Sequence, residues 1–233
     1  MSTPSQTLSL SHAESVQRTF MNRVYSWMTL GLLVTAIVSM LAARSQTLTH
    51  LLFAQPFVLL ALVLAELGIV LALVAGMNKL SVAAANTLFI VYAALTGLTL
   101  SSIFLVYDLG TIATAFFVTA GTFAVMSLYG YATKRDLTGL GGLALMGLFG
   151  IIIASVVNIF LHNAGLDLVL SYLGVFIFMG LIAFDTQKLK KYAASITEDD
   201  QSAHKVAIMG ALALYLDLIN IFLFLLRIFG GRD

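Results

Sequence analysis

The sequence predicts an all-α membrane protein with seven transmembrane helices, and three observations carry that expectation. The 233 residues are 60% apolar and only 10% charged, too few charges to solvate a soluble domain of this length. The apolar residues fall in long blocks separated by short polar breaks. Each block reaches about 20 residues, the length that crosses about 30 Å of hydrocarbon as a helix. Only two prolines occur, Pro4 and Pro56, so the blocks read as unbroken helices.

Residues 1–23 are polar, rich in Ser and Thr, and contain no short apolar h-region; they read as a cytoplasmic N-terminal tail. The first block, 24–43, is too long for a signal h-region and reads as a retained helix. Further spans are expected at 55–75, 80–106, 111–132, 139–161, 168–187 and 205–229, which makes residues 24–230 one transmembrane domain. Pro56 falls in the first turn of the second span, where a missing N–H costs nothing. The third and seventh spans are long enough to tilt or protrude. Ala93, Gly97 and Ser101 recur four apart on the third, and Gly147 with Gly150 marks the fifth. Small residues at that spacing let helix backbones approach closely. Unbroken spans also weigh against transporters built on interrupted helices.

Net charge is only +1, so its distribution carries the information. With the N-terminus in the cytoplasm, nine basic residues fall inside: Arg18, Arg23, Lys79, Lys134, Arg135, Lys188, Lys190, Lys191 and Lys205. Three fall outside, namely Arg44, Arg227 and Arg232. That asymmetry predicts N-in, C-out. There is no cysteine, which excludes disulfides, thiolate metal sites and palmitoylation. The longest hydrophilic connection runs from Lys188 to Lys205 and contains Glu198, Asp199 and Asp200. It lacks the alternating acids and central Gly of a calcium-binding loop and reads as solvated.

Three acids lie within the expected spans: Glu66, Asp185 and Asp217. An acid at a helix centre costs about 2.5–3.5 kcal/mol on insertion scales and faces a bundle interior or a watery cavity. Asp217 sits mid-span in LYLDLINIFLFLL, and Asn220, three residues on, shares its face together with Gly210, Ala213 and Phe224. One reading makes Asp217 a protonated helix-to-helix hydrogen bonder. The other pairs it with Asp185, near the cytoplasmic end of span six, where Lys188 at i+3 is an alternative partner. Two facing carboxylates share a proton and respond to pH, and their hard oxygens can hold a divalent cation. In naive register the two lie roughly 12 Å apart in depth. Glu66 is open between an acidic cluster, a packing hydrogen bond and a proton relay, with packing preferred. Asn86 and Asn158 read as helix–helix hydrogen bonders, and His162 and Asp167 as solvated residues of an outer turn. Intramembrane aspartyl proteases also carry acids on their sixth and seventh helices, but their Gly-x-Gly and Pro-Ala-Leu motifs are missing. HExxH, GxSxG and the phosphate-binding P-loop are missing too, so no enzyme and no nucleic-acid partner is expected.

FDTQKLK at 184–190 and ALALYLDLINIFLFLLRIFG at 211–230 resemble the C-terminal signature of the Bax inhibitor-1 family, the transmembrane Bax inhibitor motif proteins. SLYGYATKRDLTGLGG at 127–142 and YAALTGLTLSSIF at 92–104 resemble its bacterial inner-membrane branch, and the resemblance spans roughly residues 20 to 230. It implies a seventh helix surrounded by the other six, no cofactor, and a pH-sensitive calcium leak across the cytoplasmic membrane. Asp185 and Asp217 match the family's paired aspartates, whose protonation gates the pore and which would bind Ca2+ transiently, with Asn220 and Glu66 as candidate pathway residues. Some members latch the closed form with a basic residue on the second helix, where this chain offers only Glu66. The bacterial branch also implies a second function, binding and restraining a membrane-bound ATP-dependent protease.

Overall fold

In a computed structural model of the protein, residues 4–77, 79–196 and 201–231 are described, and among them all regular structure is helical. The elements are α1 (Pro4–Arg44), α2 (Gln46–Phe53), α3 (Pro56–Gly76), α4 (Val82–Leu100), α5 (Ile103–Val106), α6 (Leu109–Ala132), α7 (Thr138–Leu161), α8 (Ala164–Ser195) and α9 (Gln201–Gly230). Seven segments are long and apolar enough to cross a membrane, with α4 and α5 together forming the third. The protein is therefore an all-α, multi-pass membrane protein.

Local chemistry sets the helix ends. Ser81 accepts the Ala84 N–H at 3.1 Å to start α4, and Ser45 caps α2 in the same way. Asp108 starts α6, accepting from the Thr111 hydroxyl and amide at 2.5 and 2.9 Å. Those bonds hold its carboxyl below the usual aspartate range. Pro56 opens α3. His162 closes α7 in the left-handed region at φ 49°, a position that ends a helix by turning the chain off its axis.

Several boundaries differ from expectation. The first helix begins at Pro4 rather than Val24, so polar residues of the expected tail continue the helix of the first span. A helix, α2, stands where an outer loop was expected. The third span is interrupted at Ser101 and Ser102 without any proline. Their hydroxyls accept no helix partner but donate back to the carbonyls of Leu98 and Thr99 at 2.6 and 3.0 Å, and such back-bonding competes with the helical ladder. The expected 188–205 loop is mostly helix, since α8 continues to Ser195 and α9 starts at Gln201. At 32 residues, α8 is about 48 Å long and exceeds the hydrocarbon thickness. Glu198, Asp199 and Asp200 lie outside the described residues.

The chain divides into two compact units, Met1–Val106 with Tyr192–Leu212, and Tyr107–Lys191 with Ala213–Asp233. In the first, α1 packs on α4 through a small-residue seam. A Cβ on Gly97 would lie 2.8 Å from the Thr35 carbonyl oxygen and from Val38 Cβ. One turn away, the Thr35 hydroxyl donates to the Ala93 carbonyl at 2.8 Å, and Trp27 meets the Phe89 ring edge-on at 6.2 Å. In the second unit, α8 is pressed against α6 and α7. A Cβ on Gly130 would collide with the Ala183 backbone, one on Gly141 with the Phe184 ring, and one on Gly147 would come within 2.7 Å of Ile177. Gly150, the other glycine expected to pack on this helix, faces open space. Burial separates the roles of the helices: 61% of the apolar window of α9 is buried, the largest share of the seven, against 6% for Phe57–Gly76.

The α6–α7 turn is tied to α8 by polar contacts. Gln187, buried, accepts the Leu137 N–H at 2.9 Å and donates to the Arg135 carbonyl at 2.7 Å. Lys191 donates to Asp136 at 2.6 Å. With Thr138, it holds that carboxyl below the usual range.

Two outcomes test this packing. Gly130→Val and Gly141→Leu must push backbone or a buried ring aside and lose about 1–3 kcal/mol or more, read as a lower unfolding midpoint in detergent. Gly121→Ala and Gly150→Ala, which meet nothing within 4 Å, leave the midpoint unchanged or raise it slightly, since alanine favours a helix interior over glycine. In a carbon-13 carboxyl titration, Asp136 is expected to protonate below the roughly 3.9 of a free aspartate. A depressed carboxylate keeps its tie in full above the free value and loses it as pH falls from there through its own lower midpoint, and Lys191→Ala moves that midpoint upward.

Candidate intramembrane acid site

Asp217 lies at the middle of α9 and is 5% exposed. Its Oδ2 is buried and has no hydrogen-bond partner. On the preceding turns Ala207, Ala211 and Leu214 are fully enclosed. An oxygen left unpaired in a low-dielectric interior is costly, so its burial needs either a structural necessity or a transient occupant.

Asp185, on α8, is half-buried and close enough for its charge to act on Asp217. Packing geometry explains why these two lie at matching depth although naive register set them apart. Phe178 on α8 contacts Phe224 on α9 at 6.0 Å between ring centroids, and Gly174 lacks the Cβ that the Phe224 ring would strike. α8 and α9 run antiparallel. Seven residues on from Phe178 is Asp185, and seven back from Phe224 is Asp217, two helical turns on each. The aromatic contact therefore sets the register that puts the two acids opposite each other. Long helices make this possible: α8 and α9 both extend past the spans expected from hydropathy, so their midpoints carry no information about which residues face. No hydrogen bond joins the two carboxylates, so a directly shared proton is not a feature of this conformation.

The residues flanking Asp185 are all committed. Ala183 fills the space opposite Gly130 and the Phe184 ring that opposite Gly141. The Thr186 hydroxyl pairs with Ser127 at 3.2 Å, fully buried, and Gln187 holds the α6–α7 turn. The FDTQ sequence thus fixes α8 in rotation and depth while leaving Asp185 itself without a hydrogen bond. Lys188 acts on Asp185 electrostatically but forms no ion pair with it, so the i+3 alternative is not realised.

The other sequence candidates separate. Asn220 turns its amide back onto the Leu216 carbonyl of its own helix at 2.8 Å and is not joined to Asp217. Glu66 accepts the Thr99 hydroxyl at 2.6 Å, an α3–α4 bond, which is the packing role. Among the described residues no three acidic or imidazole side chains gather in a metal-binding group. Asn158 accepts from the Asn163 amide within the α7–α8 turn, and Asn86 Oδ1 is buried without a partner, so neither bridges helices. Asp167 is not merely solvated: it pairs with Arg227 at 3.4 Å. The Gln187 clamp escaped sequence reasoning, because a glutamine directly before Lys188, Lys190 and Lys191 looks like surface.

Seven apolar helices, the most buried of which carries an acid with an unpartnered oxygen, define a multi-pass membrane protein with an acid on each of its last two spans. The sequence model of a family described as inhibitor of apoptosis-promoting Bax1 matches residues 17–233. The chain is 52% identical over 216 residues to the inner membrane protein YbhL of Escherichia coli, covering 92% of each. It is 46% identical over 216 residues to a protein of Deinococcus radiodurans, covering 93% of this chain and 92% of the other. It is 43% identical over 217 residues to one of Borreliella burgdorferi, covering 93% and 94%. The chain belongs to the Bax inhibitor-1 family.

The register is directly testable, because a chain without cysteine gives no background in thiol chemistry. Phe178→Cys with Phe224→Cys, and Asp185→Cys with Asp217→Cys, should cross-link under mild oxidation, seen as a gel-mobility shift. The mismatched pair Phe178→Cys with Asp217→Cys, two turns or about 10 Å out of register, should not. Equal cross-linking of all three would sink the proposed register.

Proposed function

We propose that the protein is a calcium-permeable leak of the cytoplasmic membrane whose conduction responds to pH through Asp185 and Asp217. The observation that carries this reading is the buried, unpartnered Oδ2 of Asp217 with a second carboxylate in electrostatic reach. A proton or a hard cation is what such an oxygen lacks. Two carboxylates offer up to four oxygens, the donor type Ca2+ prefers at about 2.3–2.6 Å. Protonation and cation occupancy then compete for the same atoms, which couples flux to pH. The family resemblance supports the same assignment, and the name of the Escherichia coli relative supports placement in an inner membrane.

We assign the N-terminus to the cytoplasm on the nine-to-three asymmetry of basic residues. The contacts agree with the sidedness that asymmetry requires. Lys190 and Lys191 reach the α6–α7 turn, and Lys205 reaches the Met77 carbonyl beside the α3–α4 turn at 3.4 Å. The residues counted as inside thus cluster with one another within each unit, and Arg227, counted as outside, meets Asp167 at the other end of α8.

The experiment is calcium flux into dye-loaded proteoliposomes between pH 5 and pH 8. Wild type is expected to leak with a pH-dependent rate, while Asp217→Asn and Asp185→Asn, nearly isosteric, flatten that dependence and change the rate severalfold. Identical flux and identical pH dependence in all three would overturn the assignment of the two aspartates.

A further inference from the structure

The α6–α7 turn is more ordered than a connection between two membrane spans requires. Arg135 has both its backbone groups engaged: its N–H donates to Thr133 Oγ1 at 3.2 Å, and its carbonyl accepts from Gln187 at 2.7 Å. Gln187 is 5% exposed, so the clamp is shielded from water and retains its strength. Across the turn, Lys190 donates to the Tyr131 carbonyl at 2.6 Å and lies 4.9 Å from the centre of the Tyr131 ring. Asp136, the one exposed acid here, is taken up by Lys191 and Thr138.

What remains is Lys134 and Arg135, both exposed and, among the described residues, without an acidic partner, with Lys188 exposed on the adjoining turn of α8. Five basic residues stand against the neutralised Asp136 and the half-buried Asp185, on which Lys188 acts, so the patch is net positive. Its level is fixed by the chain itself. α6 leaves its apolar span at Ala132, so the patch stands where hydrocarbon gives way to headgroups, with Tyr131 as an interfacial aromatic.

We propose that the α6–α7 turn and the adjoining turns of α8 form a binding site for the phosphate of an anionic phospholipid. Arg135 supplies a planar fork suited to phosphate oxygens and Lys134 a point charge. Lys188 adds to the field, and Gln187 acts as a positioning residue that holds the turn open toward the headgroup layer. Basic clusters at the membrane boundary attract anionic lipid over about a Debye length. The clamp converts that attraction into a site of fixed geometry. A lipid headgroup is favoured over a soluble phosphate because the patch lies at the bilayer surface beside an aromatic anchor, and this inference does not depend on calcium conduction.

The test uses the full chain in nanodiscs of phosphatidylcholine, alone or mixed with phosphatidylglycerol, with lipid retention read by native mass spectrometry and stability by the unfolding midpoint. Phosphatidylglycerol should be retained selectively and should raise the midpoint. K134A/R135A, which removes two exposed side chains that form no hydrogen bond or ion pair among the described residues, should cut retention roughly 25-fold, since each basic residue near the surface contributes about a factor of five. Q187L changes no charge yet should also weaken retention. T133V, which removes only the Thr133–Arg135 bond, provides the same test should Q187L fail to fold. Equal retention of the two lipids, or full retention by K134A/R135A, would overturn the site. Retention unaffected by both Q187L and T133V would reduce it to diffuse charge and overturn the built site. Equal competition by inorganic phosphate would reassign the ligand to a soluble anion and overturn the lipid.

Discussion

How close α8 is allowed to come to its neighbours decides nearly everything else in the second unit. Hydrocarbon offers no hydrophobic driving force between helices, so contact has to come from shape and from hydrogen bonds. Gly130 and Gly141 remove the side chains that would keep α6 and α7 away from α8, and what enters the space is backbone at Ala183 and a ring at Phe184. Only at that separation do the short polar groups reach. Thr186 to Ser127 and Gln187 to the turn are both bonds that a wider helix spacing would break. Shape comes first here, and the polar contacts are available because of it.

The same close approach extends to α9 through Gly174, which admits the Phe224 ring. An aromatic pair two turns from two acids is a practical way to set their register. A bulky ring in a glycine notch tolerates little sliding, whereas two carboxylates alone would repel and slide apart. The site is held in place by residues that have no charge and carry no chemistry of their own.

Much of this was legible in the sequence. Composition and block length gave the seven spans, because a membrane helix must present apolar side chains to lipid whatever it packs against. The three intramembrane acids stood out for the complementary reason. Boundaries were less legible: hydropathy marks where the chain leaves the hydrocarbon, while α1 and α8 continue as helix well beyond it, and no proline announces the break made by Ser101 and Ser102. The phase of Asp217 was readable and Asp185 stood out as its candidate partner, but the register that sets the two opposite each other was not. Facing depends on the contact between Phe178 and Phe224, which joins residues far apart in the chain. Asn220 shows the limit from the other side. Three residues from Asp217 on one face, it still turns its amide to its own backbone, because an i−4 carbonyl is always within reach of a short polar side chain.

Glu66 and Asp217 show why residue type alone does not assign a role within a membrane. Both are acids at the centre of a span. Glu66 sits on α3, the helix with the least buried apolar window, and its carboxyl is met by Thr99 at 2.6 Å. Without that hydroxyl the carboxyl would have no water to turn to within the span, so the threonine lowers the cost of placing an acid there. Asp217 is on the most enclosed helix, among tightly packed side chains, and there the fold supplies no partner for Oδ2. A hydroxyl could have been placed nearby as it was for Glu66. A satisfied acid holds two helices together; an unsatisfied one, facing a second acid across a fixed register, retains a capacity to take up a proton or a cation. The difference between the two sites lies in what the surrounding helices leave undone: the carboxyl of Glu66 is bound across two helices, and Oδ2 of Asp217 is left without a partner.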